Sequence, residues 1–164
     1  MTDSKTEYEI HPPRQRWTHL ALIVTDIEAS IKWYEKHTHM ELLSKNEDGN
    51  GYGAWLGDRT QAESPFILVL AQFFKGKDPF APARHGVLGP FAHIGIEVTE
   101  RETVDEIAQI GEKEGCLALG PVQMPRPVGY ICFLKDPDGN TVEFSYDQGV
   151  YEEAKRVWGT NDTP

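Results

Sequence analysis

Thiols are scarce in this chain: Cys116 and Cys132 are the whole complement. Two cysteines outside any Cys-x-x-Cys pair cannot build a disulfide framework, so a reducing compartment is expected and the cytoplasm is the expected location. Positive charge is also in short supply, with 16 Lys and Arg against 26 Asp and Glu and a formal net charge of −10. Without a basic stripe to neutralise phosphates, neither nucleic acid nor an anionic membrane is an expected partner. Long apolar runs are missing as well: no stretch of about 18 apolar residues occurs. The opening Met1-Thr2-Asp3-Ser4-Lys5-Thr6-Glu7 lacks the basic and apolar regions of a signal peptide, so export by that route is not expected. What remains is an acidic chain of 164 residues, 39% hydrophobic. That is enough to bury a core, as one domain or as two small fused modules.

A repeat decides between these. Trp17-Thr18-His19-Leu20-Ala21-Leu22-Ile23-Val24-Thr25 recurs, more loosely, as Phe91-Ala92-His93-Ile94-Gly95-Ile96-Glu97-Val98-Thr99. The two histidines stand 74 positions apart, and the same offset carries Thr25 to Thr99 and Glu28 to Glu102. In each copy a strand, at 17–24 and 91–98, leads into a Thr-x-x-Glu capping box and an amphipathic helix, ending near His37 and at Gly115. Ile27, Ile31 and Tyr34 give the first helix its buried side; Val104, Ile107 and Ala108 give the second. Strands follow at 40–44, 52–56 and 65–72 in the first copy, and at 117–119, 130–134 and 141–146 in the second. The expected fold class is therefore α+β, built from two βαβββ modules. Residues 1–16 form an N-terminal arm, 17–72 the first module, 73–90 a Pro- and Gly-bearing linker loop, and 91–146 the second module. Residues 147–164 form a C-terminal helix and tail, whose Val150, Ala154, Val157 and Trp158 share a face expected to dock on the body or on a partner subunit.

Alternation along a strand gives each polar residue a direction. Leu20, Leu22 and Val24 oppose His19; Ile94, Ile96 and Val98 oppose His93; Val142 and Phe144 oppose Glu143. All three polar side chains can enter one cavity, and two imidazoles with one carboxylate make the triad that binds Fe(II) or a similar divalent ion while leaving open positions. A lone strand histidine or glutamate is more often a satisfied structural residue. The repeat favours convergence, since two histidines related by internal pseudo-symmetry meet near its axis. Glu97 shares the parity of His93 and is a candidate general base, set against a solvated strand carboxylate. His37 and His39, two apart at a helix end, read as surface or C-terminal capping residues rather than metal ligands. Cys132 reads as a buried thiol and Trp33-Tyr34 as core. Arg126 and Tyr130, ahead of the closing turn, are candidates for orienting an anionic or aromatic substrate.

His19 followed by Val24-Thr25-Asp26 and Ser30-x-x-Trp33-Tyr34, then Phe91-Ala92-His93-Ile94-Gly95-Ile96, then Phe133-Leu134-Lys135-Asp136-Pro137-Asp138-Gly139-Asn140-Thr141-Val142-Glu143, resembles the vicinal oxygen chelate superfamily. That superfamily includes glyoxalase I, bleomycin-resistance proteins and extradiol dioxygenases. The resemblance spans residues 17–146, and Asp136-Pro137-Asp138-Gly139-Asn140 with a glutamate three residues beyond is its most specific piece. It implies a cupped mixed sheet around one divalent metal ion held by His19, His93 and Glu143, with Fe2+ favoured and Mn2+, Ni2+ or Zn2+ as alternatives. It also implies a small-molecule substrate with vicinal oxygens, and a homodimer whose modules close within one chain or are exchanged between two.

Two departures from family patterns bear on the reaction. Glyoxalase I has a fourth ligand, usually glutamate, on the last strand of its first module; here the offset of 74 from Glu143 arrives at Val69, with Gln72 the nearest polar residue. The implied site is therefore asymmetric, with three ligands. Extradiol dioxygenases resemble a pattern with tyrosine ten residues before the glutamate, where this chain has Phe133; Tyr130 is displaced by three, and His85 is a candidate proton carrier. Glu97 and His85 are thus the candidate catalytic residues, and Gln72, Arg126, Tyr130 and Phe133 the candidate substrate-binding ones. A dioxygenase-like activity on a catechol-like substrate is slightly favoured. The alternatives are a glyoxalase- or isomerase-like lyase and a non-catalytic small-molecule-binding protein.

Overall fold

The repeat folds as two copies of one unit. In the computed structural model, which describes residues 18–62, 66–81, 88 and 91–158, the first unit runs β1 (His19–Ile23), α1 (Ile27–His37), β2 (Met40–Glu47), β3 (Gly51–Asp58) and β4 (Ile67–Phe73). The second runs β5 (Ile94–Glu97), α2 (Arg101–Glu114), β6 (Leu117–Gln123), β7 (Tyr130–Lys135) and β8 (Thr141–Tyr146), and a terminal helix α3 (Val150–Trp158) follows. The arm 1–16, Trp17 and His85 lie outside the described residues. Each unit makes a four-stranded sheet, ordered β1-β4-β3-β2 and β5-β8-β7-β6, in which the first and last strands of the unit pair in parallel and the rest antiparallel. The register preserves the offset. Ala21 pairs with Val69 and Gly95 with Glu143, and the helices begin at Ile27 and Arg101, so each position lies 74 residues from its counterpart.

Alternation sorts the strands as expected. Leu22, Val24, Leu68, Leu70, Val142 and Phe144 are buried on the helix sides of the two sheets and belong, with Ile27, Ile31, Tyr34, Val104 and Ala108, to one continuous apolar cluster. The two modules therefore share a single core through their helix sides. On the opposite faces, His19, Ala21 and Trp55 are exposed on the first sheet and Gly95 and Glu97 on the second, while Ile131, Glu143 and Ser145 are buried at the second sheet's centre.

A polar latch reinforces the junction. The Asp136-Pro137-Asp138-Gly139-Asn140 turn between β7 and β8 buries the Asp136 carboxylate, which accepts hydrogen bonds from the Asp138 and Asn140 amides at 3.0 and 2.7 Å, from Asn140 Nδ2 at 2.9 Å, and from the Tyr34 hydroxyl of α1 at 2.9 Å. Burial, with Asp136 beside it, pushes the Tyr34 phenol well above its ordinary range, so the hydroxyl stays a donor. Asp138 accepts from the Thr25 amide (2.9 Å), the Thr25 hydroxyl (2.7 Å) and the Ser30 hydroxyl (3.3 Å), placing negative charge at the start of α1 where the helix dipole favours it.

Neither expected capping box forms. Thr25 is drawn to Asp138, and the N-cap of α1 is Asp26, accepting from the Glu28 and Ala29 amides at 3.0 Å each. The N-cap of α2 is Glu100, with no side-chain cap bond, so Thr99 does not cap either. Gly115, at φ 71°, ends α2 as expected. The 117–119 strand extends through Pro121 to Gln123, which an edge strand tolerates because proline costs it no donor to a neighbour; its pairing with β7 slips twice. On α3, Val150 and Val157 are 57% exposed on this chain, while the side chains of Ala154 and Trp158 lie outside the described residues. No helix among the described residues is long and apolar enough to cross a membrane.

Removing the Tyr34 hydroxyl leaves one Asp136 oxygen short of a buried partner, so Tyr34→Phe is expected to destabilise the fold by about 1–3 kcal/mol. Asp136→Ala, which strips four donors at once, is expected to cost more. Urea unfolding measures both, and a Tyr34→Phe midpoint equal to wild type would remove the latch from the account.

Candidate metal centre

His93 lies immediately before β5, and Glu143 is the third residue of β8, opposite Gly95 across the parallel pair. Gly95 has no side chain, and a Cβ there would meet nothing within 4 Å, so the sheet floor beside Glu143 stays open. The His93 Nδ1–H donates to the Phe91 carbonyl at 2.8 Å, which fixes the ring and leaves Nε2 facing Glu143 Oε2 at 3.5 Å. Phe133, cross-strand from Glu143, stacks on the imidazole with centroids 5.7 Å apart and planes 29° apart. Glu143 is 4% exposed, and its other oxygen accepts from Gln148 Nε2 at 2.8 Å.

These donors fit a divalent ion. Two ligand atoms held about 2.0–2.2 Å from one ion stand about 3–3.5 Å apart, and the gap between His93 Nε2 and Glu143 Oε2 matches that spacing. An imidazole pinned through Nδ1 to a carbonyl, and a carboxylate held by an amide, are the outer contacts that orient metal ligands. His19 has a comparable arrangement, its Nδ1 2.9 Å from the Thr18 hydroxyl, but on the open face of the other sheet. Among the described residues, the three-donor set within 4.8 Å is His37, Glu114 and Cys116, so His19 is not gathered with His93 and Glu143 inside this chain.

The remaining candidates fall in different places. Glu97 is exposed and lies four residues along the strand from His93, about 13 Å at strand rise. Gln72 shares the parity of Leu68 and Leu70 and accepts from the Ile27 amide at 2.8 Å, on the helix side. Tyr130 also belongs to the helix side. Its hydroxyl donates to Asp105 at 2.6 Å, a bond that holds the phenol in its protonated form, while Arg101 lies over its ring at 3.4 Å. Arg126 is committed at the rim, bonding both oxygens of Asp147 (2.8 and 3.0 Å) and reaching Glu152 at 3.4 Å. Of the four substrate-binding candidates, Phe133 alone meets the His93–Glu143 pair. His85 lies outside the described residues. Cys132 is the expected buried thiol: it contacts the Val104 carbonyl at 3.7 Å, and burial pushes it up to about 12, with Asp105 and Glu143 acting in the same direction.

Gln148 escaped the sequence reading. It follows β8 in the tail, and at the offset of 74 its counterpart is the apolar Phe74. Asp147 at φ 57° turns the chain back so that Gln148 reaches Glu143, and Arg126 secures that turn through the Asp147 carboxylate. An aspartate and an amide directly after the strand that carries the candidate ligand were the available signal.

The model of the Glyoxalase/Bleomycin resistance protein/Dioxygenase superfamily matches residues 16–144. An uncharacterised protein of Pseudomonas aeruginosa is 37% identical over 131 residues, covering 80% of this chain and 88% of that protein. A probable lactoylglutathione lyase of Vibrio cholerae serotype O1 is 29% identical over 140 residues, covering 78% and 88%. The solved structure of a variant of the fosfomycin resistance protein FosX from Listeria monocytogenes, complexed with Mn(II) and 1S,2S-dihydroxypropylphosphonic acid, matches with a TM-score of 0.60 at 16% identity, covering 85% of this chain and 97% of that one, a likeness of fold. With the repeat, the paired βαβββ units and the family match in agreement, the chain belongs to the Glyoxalase/Bleomycin resistance protein/Dioxygenase superfamily.

Proposed function

We propose that this protein is a divalent-metal enzyme acting on a small molecule with two neighbouring oxygens, by redox-neutral chemistry of the lyase or isomerase kind. Its protein donors would be His93 and Glu143 of one chain and His19 of a second copy. The observation that carries this reading is the His93–Glu143 pair, spaced at 3.5 Å with each partner held by a further hydrogen bond. Proteins of this superfamily typically bind a divalent metal ion, and the FosX variant named above was solved with Mn(II) and a vicinal diol.

The ion, when bound, would supply Lewis acidity toward the substrate's oxygens. The chain's own residues do the rest. The Phe91 carbonyl holds the His93 ring, Gln148 holds Glu143, and Phe133 gives an apolar wall beside the imidazole. Val69, at the position corresponding to Glu143, adds no fourth carboxylate, so more positions on the ion remain for substrate. A shared site is supported by the way the modules join. Their helix sides are spent on the common core, while the open face of the first sheet leaves His19 and Trp55 exposed to meet another copy.

The count of three donors also suits a dioxygenase. That reading loses support here, because the Tyr130 hydroxyl is engaged by Asp105 on the far side of its strand and Phe133 has no proton to give. The Vibrio cholerae relative, a probable lactoylglutathione lyase, leans the same way. A second reading, sequestration of a small molecule without turnover, is favoured by one observation: Glu97, the carboxylate beyond Glu143 on the open face of β5, stands about 13 Å along the strand from His93.

Metal analysis tests the centre. Purified protein offered Mn(II), a hard ion that thiolate donors disfavour, is expected to retain one ion per chain, and His93→Ala to lose it; wild type that takes up no Mn(II), Fe(II) or Ni(II) would end the enzymatic reading and leave sequestration. If the site is shared, His19→Ala and His93→Ala proteins, each unable to hold Mn(II) alone, are expected to regain about a quarter of the wild-type Mn(II) after unfolding and refolding as a mixture, because half the dimers would then hold one intact site. No recovery would place all three donors in one chain. Gln148→Leu, with the fold checked by circular dichroism, is expected to weaken metal affinity by about 10–100-fold. With metal bound, S-lactoylglutathione formation without oxygen uptake is the expected lyase outcome, and oxygen uptake with catechols would restore the dioxygenase.

A further inference from the structure

His37 departs from its reading as a surface or capping residue. Its side chain is 2% exposed, it lies beneath Trp33 with ring centroids 4.8 Å apart, and its Nε2 is 2.9 Å from Glu114 Oε2. Glu114 is the last residue of α2 and one-third exposed; Lys36 also bonds it, and these two cationic or donor neighbours hold its carboxyl below the usual range. After the left-handed Gly115, Cys116 turns its half-buried thiol into the same place, anchored by its amide on the Gly111 carbonyl (2.8 Å) and by its carbonyl on the Lys135 amide (2.8 Å). The donor atoms of His37, Glu114 and Cys116 all lie within 4.8 Å of one another.

We infer that His37, Glu114 and Cys116 form a second metal site, independent of the His93 centre, that takes a borderline-soft divalent ion of the Zn2+ class and ties the end of α1 to the start of β6. A histidine–glutamate pair alone would serve as a bridge between the modules. The sulfur is the additional feature, because one nitrogen, one oxygen and one sulfur donor, on two helices and the turn that follows α2, make a donor set that suits zinc and not magnesium or calcium. Contraction of about 1 Å from the outer limit of that spacing brings the donors to tetrahedral separations. The Cys116 proton leaves to solvent, the imidazole enters neutral with Nε2 toward the ion, and Glu114 releases Lys36, whose pairing is exposed and weak. Water completes the fourth position from the exposed side of Glu114. Because the donors come from both modules, the ion would act as a staple across their junction.

Cobalt(II) tests this directly, since the His93 centre contains no thiolate. Co2+ added to the full-length protein in thiol-free buffer is expected to give a near-ultraviolet thiolate-to-cobalt charge-transfer band, retained in His93→Ala and lost in Cys116→Ser. On the His93→Ala background, Zn2+ at a hundredfold excess over its Kd is expected to raise Tm by about 5–10 °C and to protect Cys116 from alkylation, with both effects absent in Cys116→Ser. No charge-transfer band in wild type, or a band that survives Cys116→Ser, would overturn the second site while leaving the His93 centre untouched.

Discussion

The structure hinges on one buried carboxylate. Asp136 would be costly to place at 4% exposure without partners, and it is placed there because its own turn supplies three donors and α1 supplies the fourth through Tyr34. The turn is thereby made rigid and its position relative to the first module is set. From that turn β8 departs, and three residues into the strand Glu143 emerges on the open face. The buried acid at the module junction and the candidate ligand in the cup are thus two ends of one short segment, so a sequence motif that looks local, Asp-Pro-Asp-Gly-Asn followed by glutamate, carries both the assembly of the modules and the placement of a metal donor.

Much of this was legible because repetition and alternation are robust signals. The offset of 74 residues that links His19 to His93 persists in the strand pairing, where Ala21–Val69 and Gly95–Glu143 are equivalent pairs, so the apolar counterpart of Glu143 is readable from the sequence. The helix caps were not, because a capping box is a local inference and the competing acceptor, Asp138, lies 113 residues from Thr25. Gln72 and Tyr130 show a different failure. Their parity with Leu70 and with Cys132 and Leu134 already assigned them to the helix sides; treating them as cup residues gave precedence to a family pattern over the alternation. His37 was misjudged because a helix end is usually wet, and nothing near it in sequence announces that Trp33 and the end of α2 will close over it.

Pseudo-symmetry in the backbone coexists with asymmetry in the chemistry. The second module places an oriented imidazole, a buried carboxylate and an aromatic wall together on its open face. The corresponding face of the first module offers His19, Val69 and an exposed Trp55, one donor amid apolar surface. Divergence of this kind costs the fold little, because the open-face positions alternate with the core positions and can change without disturbing them. The core residues maintain the repeat, and the open-face residues are free to specialise.

The same division bears on how a complete centre could arise. Within one chain the modules meet through α1, α2 and the Asp136 turn, and the shared apolar cluster uses the helix side of both sheets. A sheet whose helix side is spent in this way can contribute to a cup only with its other face. His19 and the His93–Glu143 pair are donors on two such faces, and the pair is already set at ligand spacing while His19 stands apart. A second copy of the chain, related by a twofold axis, would bring the first module's open face to the second module's and do so twice, each time pairing one histidine with the preformed pair. The proposed shared centre thus rests on the latch: the more firmly the Asp136 turn commits the modules to meet through their helices, the less either open face can be completed from within its own chain.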